Sequence, residues 1–349
     1  MDVPEPISEP AGEVRAGPQR LPSRVIVVGT SAGGVTALLQ IVQDLPTGLD
    51  AAVLIVLHVG ANRSVLPDLL RARCPWRVEH AQDREEPVAG AIYVAPPDHH
   101  LMLEASQMCL TRGAKENHAR PAIDPLFRSA ALSWGPKVIG VILTGQLDDG
   151  AAGLQAVKDC GGMAVVQDPE TALEPGMPRA ALAAARVDVI VPLERIAPTL
   201  VDLVGRGSHS GPAPPAPKWI WHEVRINEGS NIMEHLQAIG SPSGISCPDC
   251  GGALFEVEGS PPRYRCHIGH AFSAQSLCSQ HGEFTEQVLR SGVRALQEKE
   301  MLLRRLALVS RGSGRLHEAQ VGERRADEAR AQATSLRRII EGRSGSSGA

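Results

Sequence analysis

The chain has 349 residues, a formal net charge of -4, 43% hydrophobic residues and only 3% aromatics. That length suits one large domain with something smaller beside it, and the core must be built from Ala, Val, Leu and Ile. The charge argues against nucleic acid or a membrane surface as partner, and no segment approaches the ~20 apolar residues of a membrane span.

Residues 1–23 are acidic and Pro-rich and lack an apolar signal core, so they read as a disordered leader and the expected address is cytoplasmic. Seven cysteines, three of them clustered late, fit reduced thiols and a metal site better than a disulfide framework. From Arg24 the texture changes. RVIVVG and AAVLIVLH (51–58) are apolar runs of the kind buried on both faces of a sheet, and a helical pattern from Gly34 to Leu45 separates them. A helix near Val65–Arg73 is followed by WRVEHA, AIYVAPPDHH and MLEASQMCLTR, which read as strands and hairpins. RPAIDPLFRSAALSWG is a helix with Pro125 in its opening turn. KVIGVILTG (137–145), the helix GAAGLQAVKDCG, MAVVQD, the helix MPRAALAAA and VDVIVP complete an alternating order. The fold class expected over 24–205 is α/β, a doubly wound, mostly parallel sheet with helices on both faces.

Three polar residues stand at equivalent places in this pattern. Ser31 follows the first strand, His58 ends the second, and Asp149 follows GVILTG. The carboxyl ends of parallel strands line one crevice, so the three converge where such sheets bind ligands. A serine needs a base to take its proton, and the base needs a carboxylate to hold its tautomer. Gly29-Thr30-Ser31-Ala32-Gly33 has the form of a nucleophile elbow, and Gly33 puts backbone amides at a helix N-terminus where an oxyanion can sit. Alone, each element has a blander reading: a tight turn, a strand-end histidine, a helix cap. Together they point to nucleophilic acyl transfer. A dinucleotide fold is disfavoured because Ser31 replaces the middle glycine of the phosphate turn and the acidic residue of the second strand's end is missing. The order Ser, His, Asp also differs from that of the common α/β-hydrolase fold.

GTSAGG, the strand ending in His58, AIYVAPPDHHL, HARPAIDPLF, GVILTGQLDDGAAG and EPGMPRAAL occur in order. On these motifs residues 24–205 resemble the catalytic domain of the chemotaxis receptor-glutamate methylesterase (CheB-type) family. The resemblance implies hydrolysis of glutamate methyl esters on a methylated, chemoreceptor-like helical protein, with glutamine deamidation on the same site. It implies Ser31 as nucleophile, His58 as base and Asp149 as orienting carboxylate, with no catalytic cofactor. The oxyanion falls near the backbone amide of Gln146, where the family commonly has methionine. His118 and Arg120 match a segment near the active-site rim and are candidate substrate contacts. Family members usually begin with a phospho-accepting receiver domain. The 23 leader residues are too few for one, so gating by phosphorylation within this chain is not expected. The alternative function is a scaffold that keeps the fold and binds partners through its C-terminal parts.

Residues 206–244 read as a linker that starts Gly/Ser/Pro-rich, with WIWHEVRINEG as a short strand pair. Residues 245–282 form a zinc-ribbon-like module. Cys247-Pro-Asp-Cys250 and, fifteen residues on, Cys266-His267-Ile-Gly-His270 have the spacing of a structural zinc site. The expected ligands are Cys247, Cys250, Cys266 and His270, with His267 and then Cys278 as substitutes. Residues 283–341 read as a helical tail, with Leu289, Val293, Leu296 and Leu303 on one face. That face either packs within the chain or forms a homodimeric coiled coil. Residues 342–349 read as a disordered end.

Overall fold

RVIVVGT (β1, Arg24–Thr30) and AAVLIVL (β2, Ala51–Leu57) are buried at every position, because helices cover both faces of the sheet they centre. The computed structural model describes residues 20–344 except 60, 62, 207–213 and 260. Residues 1–19 of the expected leader and 345–349 of the expected disordered end lie outside the described residues, whereas 342–344 belong to the last helix, which runs Leu316–Ser344.

The remaining strands of the main sheet are β3 (Arg77–His80), β4 (Ala91–Val94), β7 (Val138–Ile142), β8 (Met163–Gln167) and β9 (Val189–Val191). Their order is β3-β4-β2-β1-β7-β8-β9, and every neighbouring pair is parallel. A hairpin of β5 (His100–Glu104) and β6 (Gln107–Thr111) stands apart from the sheet.

One face of the sheet packs against α3 (Ile123–Trp134), α4 (Ala151–Asp159) and α5 (Gly176–Ala184), with Phe127, Leu154 and Met177 among the buried side chains. The other packs against α1 (Gly34–Asp44), α2 (Leu66–Arg71) and α6 (Leu193–Gly205), through Leu38, Leu70 and Leu200. Alternate residues of each strand serve alternate faces: Val25 and Val27 lie in one core, Ile26 and Val28 in the other. The chain order reverses direction across the sheet at β1, which sits between β2 and β7. The crevice above its carboxyl end is the topological switch point.

The region after residue 214 departs from expectation. WIWHEVRINEG is a helix, α7 (Lys218–Asn227), and not a strand pair. The Trp-Ile-Trp alternation imitates a strand, yet the buried positions are Ile220, Glu223, Val224, Ile226 and Asn227, a helical spacing disguised by two polar residues. A second helix, α8 (Ile232–Ile239), follows, so much of the expected linker is ordered structure. Next comes an antiparallel sheet of β10 (Gly240–Ser246), β11 (Ala253–Val257), β12 (Arg263–Cys266) and β13 (Ala271–Ser273).

The chain forms two compact units. The first comprises Met1–Cys247 with Gly252–Ser273, and so takes in the β10–β13 sheet along with the parallel one. Inside it, Arg128 of α3, Glu223 of α7, Arg263 and Arg265 of β12 and Glu116 form a buried ionic cluster. Arg265 Nη2 donates to Glu116 and lies 3.3 Å from Glu223, and Arg128 Nη1 lies 3.0 Å from Glu223.

The second unit comprises Ala274–Ala349 and the turn Pro248–Gly251. Its helices α9 (Ala274–Gly312) and α10 (Leu316–Ser344) fold back as an antiparallel hairpin. Val293 and Ala307 of α9 are buried, as are Ala319, Ala326, Ala329 and Ala333 of α10. On the Leu289–Leu303 face, Val293 is buried and Leu289, Leu296 and Leu303 are partly buried.

Candidate active site

Each candidate side chain is set by a strand end. β1 runs straight into Ser31, whose N–H donates to Thr144 O (3.0 Å), tying the turn to the segment after β7. Gly33 begins α1 at φ +80°, a conformation that costs glycine little and would strain other residues. Asp149 lies just before α4, and His58 directly after β2.

These three residues form one hydrogen-bonded run. His58 Nδ1 is 3.2 Å from Ser31 Oγ, and His58 Nε2 is 2.8 Å from Asp149 Oδ2. Asp149 is an acceptor only, so Nε2 carries the proton and Nδ1 presents its lone pair to the serine hydroxyl. Ser31 and His58 are partly exposed, whereas Asp149 is buried.

Burial alone would raise the Asp149 carboxyl. The His58 hydrogen bond and charge outweigh it, helped by Ile123 N–H and Asn117 Nδ2, and hold the group below the usual carboxylate range. Ile123 N donates to Oδ2 (2.6 Å), Asp124 N to Oδ1 (3.3 Å) and Asn117 Nδ2 to Oδ1 (3.1 Å). The first two are amides at the start of α3, so the helix N-terminus favours the negative charge. Asp124 itself is pushed up to about 8, first by burial and then by the charge of Asp149. Two neighbouring buried carboxyls are thus driven apart, one ionised and one holding its proton at neutral pH.

The expected oxyanion and rim residues are distributed as follows. Gln146 is exposed, and no protein acceptor among the described residues takes its backbone N–H. His118 stacks its ring 5.5 Å from that of Phe272 and stands near Asp148. Arg120 is committed elsewhere: its Nε and Nη2 donate to Asp98 Oδ1 (2.9 and 2.6 Å) and its Nη1 to Gly113 O (2.8 Å). Leu173, 75% exposed, lies against the Gly33 turn, two residues from Ser31.

Sequence reasoning passed over Asn117, Asp124 and Asp148. Asp124 lies within HARPAIDPLF and was open to notice there, but its contact with Asp149 crosses 25 residues and has no local signature. Gly145 is a further case. A Cβ there would fall 2.1 Å from Met177 Sδ and 3.0 Å from Ser31 Cβ. Gly145→Ala is expected to shift Ser31 away from His58 and lower kcat by about 100-fold, the scale of a 1 Å misplacement. Steady-state kinetics beside a thermal melt check this.

Cys247, Cys250, Cys266 and His270 each offer one ligand atom, all within 4.8 Å of one another. Cys266 Sγ and Cys247 Sγ lie 3.4 and 3.7 Å from His270 Nδ1. Tetrahedral zinc–sulfur and zinc–nitrogen bonds imply roughly 3.6 Å between such atoms, so this donor set fits the metal. No disulfide joins the thiols, and His267 is exposed and outside the group, as is Cys278.

The CheB methylesterase family model matches residues 26–200. A putative protein-glutamate methylesterase/protein-glutamine glutaminase of Leptospira interrogans is 42% identical over 180 residues, covering 51% of this chain and 93% of that protein. A protein-glutamate methylesterase/protein-glutamine glutaminase of Cupriavidus pinatubonensis is 40% identical over 181 residues, covering 51% of this chain and 53% of that one. Among solved structures, the Thermotoga maritima CheB methylesterase catalytic domain matches with a TM-score of 0.50 and 34% identity, over 52% of this chain and 98% of that chain.

Proposed function

The chain belongs to the CheB methylesterase family through residues 26–200, and from that membership we propose that it hydrolyses methyl esters of glutamate side chains on a chemoreceptor-like helical protein. The run Ser31–His58–Asp149, in the connections that follow the adjacent strands β1, β2 and β7, carries this reading. His58 Nδ1 takes the hydroxyl proton as Ser31 Oγ attacks the ester carbonyl. Asp149 accepts Nε2–H and stabilises the imidazolium that forms. The tetrahedral oxyanion is received at the Gln146 amide. The carbon–methoxide bond then breaks, His58 returns its proton, and methanol leaves. Water repeats the sequence on the acyl-serine and frees the glutamate. A glutamine side chain follows the same path with ammonia as leaving group, and the relatives' names carry both reactions.

The test is methanol release from methylated helical receptor fragments. Release supports the reading. If none is seen but a serine-reactive phosphonate labels Ser31, the natural acyl substrate is a different one. If neither occurs, the chain is a scaffold.

The Cys247, Cys250, Cys266 and His270 group is proposed to hold zinc, supplying structure and not chemistry, because four protein ligands leave no open position. Stripping the metal with a chelator is expected to lower the thermal midpoint and to expose titratable thiols. Cys247→Ser should reproduce the loss. Unchanged melting after complete metal removal would sink this assignment.

A further inference from the structure

Asn117 and His118 sit consecutively in the left-handed region, at φ 46° and 68°, a conformation that surrounding structure must hold in place. Strand β13 holds it. Asn117 N–H donates to Ala271 O (2.8 Å), and Ala271 N–H donates to Lys115 O (3.2 Å). The segment thereby adds to the free edge of the β10–β13 sheet, with Glu116 bridged in parallel to Ala271. The Asn117 side chain spans the gap between this sheet and the active centre. Its Oδ1 accepts Ser273 N–H (3.0 Å), while its Nδ2 donates to Asp149 Oδ1 (3.1 Å) and reaches Asp124 Oδ2 (3.4 Å).

The two ends of that amide are not interchangeable. Turned over, it would set its oxygen against a carboxylate and its NH2 against a backbone N–H, two repulsions in place of two bonds. The Ser273 N–H therefore fixes which way the amide faces, and so aims a donor at the carboxylate that orients His58. Without it, Asp149 Oδ1 would keep, among the described residues, the longer bond from Asp124 N. Two further contacts fasten β13 to the site: Ser273 hydrogen-bonds the side chain of Asp148, and the Phe272 ring lies against His118.

We propose that Asn117 is a positioning residue for the Ser31–His58–Asp149 run, and that β13 sets it, making the small antiparallel sheet part of the active centre's support. The proposal rests on the hydrolase reading above but not on the choice of substrate. Its test therefore uses the rate at which a phosphonate labels Ser31, which needs no ester.

In the full-length chain, Asn117→Ala and Asn117→Asp are each expected to slow labelling by about 10- to 100-fold, the rate equivalent of one hydrogen bond to a charged group. Asn117→Asp keeps the acceptor for Ser273 but sets a further carboxyl against Asp149, so its rate is compared only with its thermal melt showing it folded. The loss should shrink at acid pH, where the new carboxyl holds a proton and can donate. With a methyl-ester substrate in hand, the loss should appear in kcat and leave KM unchanged. Ser273→Pro removes the N–H together with the hydroxyl that bonds Asp148. With Ser273→Ala as the control for the hydroxyl, it should slow labelling comparably and add nothing in an Asn117→Ala background. Should Ser273→Pro fail to fold, Phe272→Leu takes its place, with the same non-additivity expected. Wild-type labelling in folded Asn117→Ala overturns the proposal. Losses that multiply in the double variant overturn the part assigned to β13. If wild type labels readily but releases no methanol, the esterase reading fails while this proposal still stands or falls on the labelling rates.

Discussion

Ser31→Ala is expected to lower methanol release by about 10⁶-fold while the thermal midpoint stays within a degree or so of wild type. The magnitude is that of removing a nucleophile from a serine–histidine–carboxylate unit. The unchanged stability follows from position. Ser31 Oγ is partly exposed and bonds only to His58 among the described residues, so no buried partner is orphaned. His58→Ala should cost about as much, and the double variant little more, because the two act as one unit. Asp149→Asn should lose less, about 10⁴-fold. The asparagine NH2 can face His58 Nε2 and reverse the ring's tautomer, presenting N–H to Ser31 instead of a lone pair. Rates of Ser31→Ala within tenfold of wild type would remove serine catalysis from consideration.

The second large effect is on stability. Arg265→Ala is expected to cost about 3–5 kcal/mol, the usual consequence of breaking a buried ion pair from one side. Burial alone would raise Glu116, but Arg128 and then Arg265 hold it well below the carboxylate range. Arg263, Arg128 and Arg265 do the same for Glu223. Removing Arg265 leaves both buried carboxylates short of a donor. The pH dependence follows from the sign of those shifts. A depressed folded-state value means the stabilisation is complete above the unfolded value of about 4.5 and is lost as pH falls through the folded one. The gap between wild type and Arg265→Ala should therefore be widest near neutrality and narrow in acid. A Glu116→Ala/Arg265→Ala double variant should lose less than the sum of its parts. Chemical denaturation at neutral pH and at about pH 2.5, well below the unfolded value, measures both effects. A gap that does not change with pH would mean the cluster contributes packing and little electrostatics.

The sequence determined a good deal about this protein because the relevant signals are local. Apolar runs ending in a glycine turn or a polar residue marked the strands of a mostly parallel sheet, and strand ends in such a sheet share one crevice. Ser31, His58 and Asp149 could thus be grouped without knowing any distance. Knuckle spacing likewise named Cys247, Cys250, Cys266 and His270, with His267 as the substitute. The tertiary structure decided what depends on partners far away in the chain. It selected Nδ1 of His58 to face the serine. It made 218–227 a helix, because Glu223 and Asn227 are buried against Arg263, Arg265 and Glu116, and those partners lie 38 to 111 residues off. It also brought β13 to Asn117 across 156 residues. A polar residue's environment is set by which distant donor or acceptor the fold delivers to it, and neither composition nor periodicity records that.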